Sequence, residues 1–453
     1  MKRVTALALV TGIMLTMVSC GYLETNSTGE SKKNTEVKKE DSNSSDITVM
    51  TTYAGKDSNT KNYQDALKKW QKKTGYKAKD ASTNSNENLK KKVSDDFRNG
   101  DEPDVLFYFT GADANEFVSE DKVMSIDEIR KDYPSFASNV NEDMVPASLV
   151  DGIKYAVPRN GYWEGLYYNS SILEQSGVET PGTEYSMDEF YQDCAKIKAA
   201  GYLPIAASLG EVPHYWWEYM IFNYEEPINH DSIPTNVNDE LGQAWVNVIG
   251  DVKSLYENGF FPEKTLSVSN METVDLFLKG KAAFLLDGSW RLGSIVSSCC
   301  DTKGDPSTIN EEKLSKFGIT YCPGRGDRLA TDIIGGMSMG YYISRKAYEN
   351  PEKRYKAASF VEYMTSDEVV KKFAAHSTTA LKNQNRGDTA DLNSLQVKAL
   401  WMMRNATSIT PALQDLYQGD CRESTFDGMP ELVTGNRNIS EAVGEGLAIY
   451  HAN

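Results

Sequence analysis

Residues 88–109 read NLKKKVSDDFRNGDEPDVLFYF. Leu89, Val93 and Phe97 recur at the spacing of one helix face, and Gly100 stands where a helix ends most easily, because it has no Cβ to resist a left-handed turn. Pro103-Asp104 then leads into Val105-Leu106-Phe107-Tyr108-Phe109, an apolar run of strand length rich in aromatic residues, which predicts a buried strand. Upstream, Asp46 to Thr52 is β-rich and reads as the first strand. Thr60 to Gly75 places Tyr63, Ala66, Leu67 and Trp70 on one helical face, again closed by a glycine. Strand, helix, break, helix, strand is the rhythm of a βαβ chain, so the fold class is α/β.

Downstream, Tyr155 to Pro158 and Gly165 to Asn169 read as extended. Met187 to Ala200, His214 to Tyr224, Asp239 to Asn258 and Val274 to Lys279 read as helical. Ala282 to Leu286, Gly318 to Cys322 and Tyr341 to Ile343 have strand length. Pro351 to Met364 and Ser366 to Ala375 follow as helices, and Leu392 to Asn453 as helices with loops. No internal repeat is present. A chain of 453 residues exceeds one simple core, so two lobes are expected. Hydrophobic content of 40% with 25% charged residues fits a soluble globule. A net charge of −17 repels phosphate backbones and argues against nucleic acid as a partner. With only His214, His230, His376 and His451 available, zinc sites and histidine acid–base chemistry are disfavoured, and no metal or other cofactor is expected.

The start of the chain has the layout of an export signal. Lys2 and Arg3 precede an apolar stretch from Val4 to Val18, too short to span a bilayer comfortably. It ends in Met17-Val18-Ser19-Cys20-Gly21, which resembles a bacterial lipobox, with Met17 where that motif commonly has leucine. The resemblance implies removal of residues 1–19, lipidation (palmitate) at Cys20, and a place on the outer face of the cell membrane. Residues 20–45 are rich in Ser, Asn, Thr, Lys and Glu, cannot bury enough apolar surface to fold, and read as a tether. Cys194, Cys299, Cys300, Cys322 and Cys421 show no metal-ligand spacing, and their odd number leaves at least one without an intrachain partner.

From residue 46 to the end the chain resembles family 1 extracellular solute-binding proteins, the maltose-binding-protein type. Several ordered segments carry the resemblance: the strand–helix opening with Trp70 and Gly75; Asn99-Gly100-Asp101-Glu102-Pro103-Asp104-Val105; Gly152-Ile153-Lys154-Tyr155-Ala156-Val157-Pro158 followed by Leu166-Tyr167-Tyr168-Asn169; Ser186-Met187-Asp188-Glu189-Phe190; Phe277-Leu278-Lys279-Gly280-Lys281-Ala282-Ala283-Phe284 ending in Gly288-Ser289-Trp290; and Gly335-Gly336 before a strand. The resemblance implies a periplasmic-binding-protein-like fold of two α/β lobes joined by hinge strands, with the ligand cleft between them. One lobe is then expected over 46–166 and 323–380, and the other over 167–322 and 381–453, with crossings near Leu166, Cys322 and Ala380. It further implies a monomer that delivers carbohydrate to ABC permease subunits and has no enzymatic activity.

Sugars offer C–H faces that stack on aromatic rings and hydroxyls that bind acids, amides and Arg. At Gly288-Ser289-Trp290 the resemblance makes Trp290 a stacking ring, and its neighbour Asp287 can accept hydroxyls. Trp163 and Glu164 precede the expected crossing. Trp216 and Trp217 point about 100° apart on a helix, so one of them can face the cleft. Tyr53 and Asp113 follow strand ends, where open α/β sheets form their crevices. Gly336 can bring a backbone N–H to ligand. Trp70, Trp245 and Trp401 read as core. A glycoside hydrolase needs two carboxylates across the scissile bond, and Asp287, Glu164, Asp113 and Glu218 could supply them, but no hydrolase motif accompanies them. A structural surface lipoprotein would not need an aromatic-lined cleft, and a receptor for a non-carbohydrate solute would have less use for so many aromatic residues.

Overall fold

The structure is a computed structural model that describes residues 46–452, except 56, 58, 86, 303–304, 326–329, 374–378, 384–391 and 418. The expected leader, Cys20 and the tether lie outside the described residues. Among the described residues, the strands are β1 (Ile47–Met50), β2 (Ala78–Asp80), β3 (Val105–Phe109), β4 (Val157–Pro158), β5 (Tyr162–Asn169), β6 (Leu203–Ile205), β7 (Ala282–Gly288), β8 (Phe317–Thr320), β9 (Asp332–Gly336), β10 (Met339–Ile343) and β11 (Ser408–Thr410). They form two sheets. The first runs β2-β1-β3-β10-β4; the second runs β11-β9-β5-β7-β6, with β8 also paired to β5. β1 is parallel to β2 and to β3, as the helical crossovers Thr60–Thr74 and Glu87–Asn99 require. The α/β class and the two lobes follow.

The unbroken apolar run of β3 has a direct cause. Val105 and Phe107 enter the core that holds Trp70, Ile129, Tyr341 and Phe360. Leu106 and Tyr108 enter the core on the opposite face with Leu89, Val93, Phe97 and Phe117. Side chains alternate along a strand, and helices cover both faces, so every position is apolar. β5 repeats this logic in the second lobe. Leu166 and Tyr168 pack with Trp216, Trp217 and Trp245, while Trp163 and Tyr167 pack with Leu285, Ile319 and Met402.

The chain passes from the first sheet to the second between Pro158 and Tyr162, and returns between Gly336 and Met339. The crossings expected near Leu166 and Cys322 therefore compare with sheet changes a few residues earlier and over a dozen residues later. Leu166 sits inside β5, opposite Leu286 and Thr320, and β9 still belongs to the second sheet. A hydrophobic pattern records that a strand is buried, not which sheet it joins. Near the third expected crossing, Thr379 bridges Asn160 and Leu381 bridges Val140.

Trp70 and Trp245 are buried as expected. Trp401 is not: it is 55% exposed. The helix Ser394–Arg404 buries Leu395, Ala399, Met402 and Met403, and that spacing turns position 401 toward solvent. Cys194, Cys299, Cys300, Cys322 and Cys421 are all buried, and no disulfide joins any two of them, the adjacent Cys299 and Cys300 included. Among the described residues no helix is long and apolar enough to cross a membrane.

Asp104, in the Pro103-Asp104-Val105 segment, ties three elements together. Its carboxylate accepts the backbone N–H of Thr48 at 2.7 Å and the Lys353 ammonium at 2.9 and 3.0 Å. It thereby joins β1, the start of β3 and the residue that precedes the helix Arg354–Met364. Asp104→Ala leaves a buried N–H and an ammonium unpaired and should cost about 2–4 kcal/mol. The check is a lowered urea midpoint at unchanged slope; an unmoved midpoint would show that this tie contributes nothing.

Candidate functional site

The helix His214–Ile221 begins with two apolar faces to satisfy. Trp216 stacks on Phe190 with ring centroids 5.6 Å apart, and Trp217 meets Trp245 at 4.7 Å and Phe426 at 4.3 Å. Both tryptophans are buried in the second-lobe core. Tyr215 and Glu218, three apart and so on one face of the helix, point elsewhere. Tyr215 lies 6.4 Å from the ring of Trp290. Tyr162, the first residue of β5, lies 6.2 Å from the same ring. Trp290 and both tyrosines are half-buried. Three tilted rings thus share one patch at the start of β5 and the end of β7.

Carboxyl groups adjoin this patch. Glu164 follows Tyr162 by two positions on β5, on the same face, and is 1% exposed. Its Oε2 has no hydrogen-bond partner among the described residues. Glu218 accepts the backbone N–H groups of Leu413 and Gln414, both at 3.1 Å, while the hydroxyl of Tyr162 accepts the N–H of Ala412 at 3.0 Å. These bonds pin the turn Leu413–Asp415 and so place the Asp415 carboxyl. Burial pushes Glu164 well above the ordinary range, with Glu218, Asp287 and Asp415 adding like charge. Burial and then Asp415 push Glu218 up to about 8, against the two N–H groups and Arg422. Burial and then Asp113 push Asp415 up to about 7, against Lys90 and Arg422.

Asp415 is also where the lobes meet. A Cβ placed on Gly111 of the first lobe would stand 2.5 Å from the Asp415 carbonyl oxygen, so only glycine permits this approach. Two residues on, Asp113 pairs with Lys90 at 3.0 Å. Asp57 of the first lobe is pushed up to about 6 by burial, offset by the Asn59 N–H and then by Arg159 and Arg291.

The sequence candidates divide accordingly. Trp290, Glu164, Asp113 and Gly336 lie at this junction; Gly336 stands opposite Tyr162 in the β5–β9 pair at a φ of +148°. Asp287 is fully buried and engaged, accepting Arg291 Nε at 2.7 Å. Trp163, on the face of β5 opposite Glu164, packs with Tyr167. Tyr53 is buried against Phe107 and Phe373. Sequence reasoning passed over Tyr162, Tyr215, Asp415 and Arg159. The three-residue spacing of Tyr215 and Glu218 could have revealed that pair. Nothing local marks Arg159, whose guanidinium lies 3.5 Å from the centre of the Phe373 ring and 4.1 Å from that of Tyr53. It donates from Nη1 to the Tyr341 hydroxyl at 3.0 Å, and its Nε and Nη2 have no hydrogen-bond partner among the described residues.

Residues 56–371 match the family described as bacterial extracellular solute-binding protein. A Brucella abortus (strain 2308) protein named as a binding protein is 25% identical over 162 residues, 33% of this chain and 36% of the relative; the match thus spans about a third of that relative's length. The galactooligosaccharide-binding protein of Bacillus subtilis (strain 168) is 21% identical over 353 residues, covering 77% of this chain and 72% of the relative. Among solved structures, a chitin oligosaccharide binding protein superposes with a TM-score of 0.74 at 19% identity, over 90% of this chain and 98% of that one. That likeness shows the fold.

The raised carboxyls predict a pH dependence. Glu218 and Asp415 hold protons more tightly folded than unfolded, so their contribution to stability is complete below their ordinary values of 4.5 and 3.8 and is lost as pH rises through about 7 to 8. His214, held neutral by burial and then by Arg422 and Lys90, works in the opposite sense at lower pH. The fall in melting temperature from about pH 5 to about pH 8 should therefore be smaller in Glu218→Gln than in the parent; equal slopes would contradict the assignment.

Proposed function

Because this chain belongs to the bacterial extracellular solute-binding protein family, we propose that it captures a carbohydrate outside the cytoplasm and delivers it to an ABC-type importer, without catalysis. The observation that carries this is the half-buried trio of Trp290, Tyr162 and Tyr215 set against carboxyl groups where the two lobes meet. Aromatic faces with adjoining acids match the two surfaces of a pyranose. Three rings offer more face than one sugar covers, which favours an oligosaccharide. The galactooligosaccharide-binding name of the Bacillus subtilis relative points the same way.

In this reading Trp290 is the stacking ring, Glu164, Asp113 and Asp415 take hydroxyls, and Gly336 offers its backbone N–H. Asp287 orients Arg291, and Trp163, Trp216, Trp217 and Tyr53 back the site from the cores. The lobes turn about the crossings at 159–161 and 337–338. Sugar that touches both lobes binds the closed form better than the open one, and that difference is what shifts the population. Permease subunits then accept the closed monomer, which is held to the membrane through Cys20.

A thermal-shift panel of mono- and oligosaccharides, with peptides and polyamines as controls, tests the ligand class, because a ligand of the native state must raise the melting temperature. A shift with saccharides alone and no sugar products supports the receptor; released products would make it a hydrolase. Trp290→Ala should weaken the best saccharide by roughly 1–3 kcal/mol, about 5- to 150-fold, by calorimetric titration, and an unchanged affinity would return Trp290 to packing. Cys20→Ser should abolish fatty-acid labelling and release the protein from membranes; retention with label would sink the anchor.

A further inference from the structure

Charges at the lobe junction do not balance, and the imbalance is confined to one side. The cations that act on Asp415, Glu218 and Asp287 each have a carboxylate already: Lys90 pairs with Asp113 at 3.0 Å, Arg291 with Asp287 at 2.7 Å and Arg422 with Asp427 at 3.7 Å. Among the described residues, none forms an ion pair with Glu164, Glu218 or Asp415. Glu218 has its two backbone N–H donors, but Glu164 has an oxygen that meets no donor among the described residues, on a side chain that is 1% exposed. Buried carboxyls are ordinarily paired or hydrogen-bonded, and one left over is costly to the chain alone. The second observation is the aromatic trio. Tyr162 and Tyr215 each lie within the electrostatic reach of Glu164 and Glu218, and ring faces attract cations as well as C–H surfaces. Among the described residues no three acidic, His or Cys side chains are grouped so as to hold a metal ion, so a metal does not account for the surplus.

We propose that the saccharide taken by this cleft is cationic, an amino sugar whose ammonium group sits between the Trp290–Tyr162–Tyr215 rings and the Glu164 carboxylate. This rests on the carbohydrate reading given above and narrows it. Ligand and carboxylate supply each other's missing partner: the ammonium donates to Glu164, Glu218 and Asp415 lie close enough to add attraction, and the sugar ring stacks on Trp290. With ammonium present, the carboxyls release the protons that burial otherwise makes them hold. A neutral sugar would meet the same site with its carboxyls protonated and would gain no charge pairing.

The test is calorimetric titration of the purified protein in mildly acidic buffer with three oligosaccharide sets of matched length: glucosamine oligomers, their N-acetylated counterparts, and neutral glucose or galactose oligomers. The expected result is that the glucosamine set binds at least about tenfold tighter than the acetylated set, that the gap narrows in high salt, and that it closes in Glu164→Gln. Equal or tighter binding of the acetylated or neutral sets overturns the cationic assignment and leaves the carbohydrate reading standing. No binding by any saccharide, or binding by polyamines alone, overturns both. A gap that survives in Glu164→Gln, with the variant's melting temperature showing it folded, removes Glu164 as the counter-charge. Should that variant fail to fold, Glu218→Gln replaces it, and an unchanged gap there together with an unchanged salt dependence overturns the assignment.

Discussion

β5 obeys a period of two, and the second lobe is organised by that constraint. Eight residues, paired antiparallel to β7, β8 and β9, must send alternate side chains to opposite faces. Trp163 and Tyr167 go to one core, Leu166 and Tyr168 to the other. Tyr162 and Glu164 share the second direction but lie at the end of the strand nearest the sheet crossing, where the core gives way to the lobe junction. The helix His214–Ile221 then meets them with the face that carries Tyr215 and Glu218, because its other face is occupied by Trp216 and Trp217. A one-residue slip in β5 would bury Glu164 among Leu285 and Met402 and put Trp163 at the junction.

The polar groups of the junction are held by few bonds. Glu218 fixes the turn that carries Asp415, Tyr162 fixes its start, and Tyr219 joins the Glu164 carbonyl to the N–H of Ile334, linking β5 to β9 just before the chain returns to the first sheet. The same helix therefore sets the carboxyl cluster and braces the crossing. Gly111 stands against Asp415 and Asp113 lies within its electrostatic reach, so the like charge that raises Asp415 is supplied by the opposite lobe. Contacts from both lobes thus converge on one short stretch, residues 412–415.

Arg159 occupies the matching position in the first lobe, just before the chain leaves β4 for β5. A guanidinium against two aromatic rings keeps part of its stabilisation without a carboxylate, which is how a charge with two nitrogens that meet no acceptor among the described residues is tolerated beside Tyr53 and Phe373. It also fixes the first residue of the hinge against β10 through the Tyr341 hydroxyl. Asp57 stands between Arg159 and Arg291 electrostatically, so the two lobes influence each other's charges on this side of the junction too.

Local rules suffice for much of this. Leu89-Val93-Phe97 and the run Val105–Phe109 announce helix and buried strand, because 3.6- and 2-residue periods are properties of the backbone itself. The α/β class, the two lobes, and the buried Trp70 and Trp245 were all legible. Which sheet β5 and β9 join was not, since pairing partners are decided by contacts between residues far apart in sequence. The same holds for Trp216 and Trp217 in the core with Tyr215 outside it, for the exposed Trp401, and for the meeting of Asp415 with Gly111. An aromatic ring fits a core and a cleft equally well by its chemistry, and only the packing of distant segments around it chooses between them.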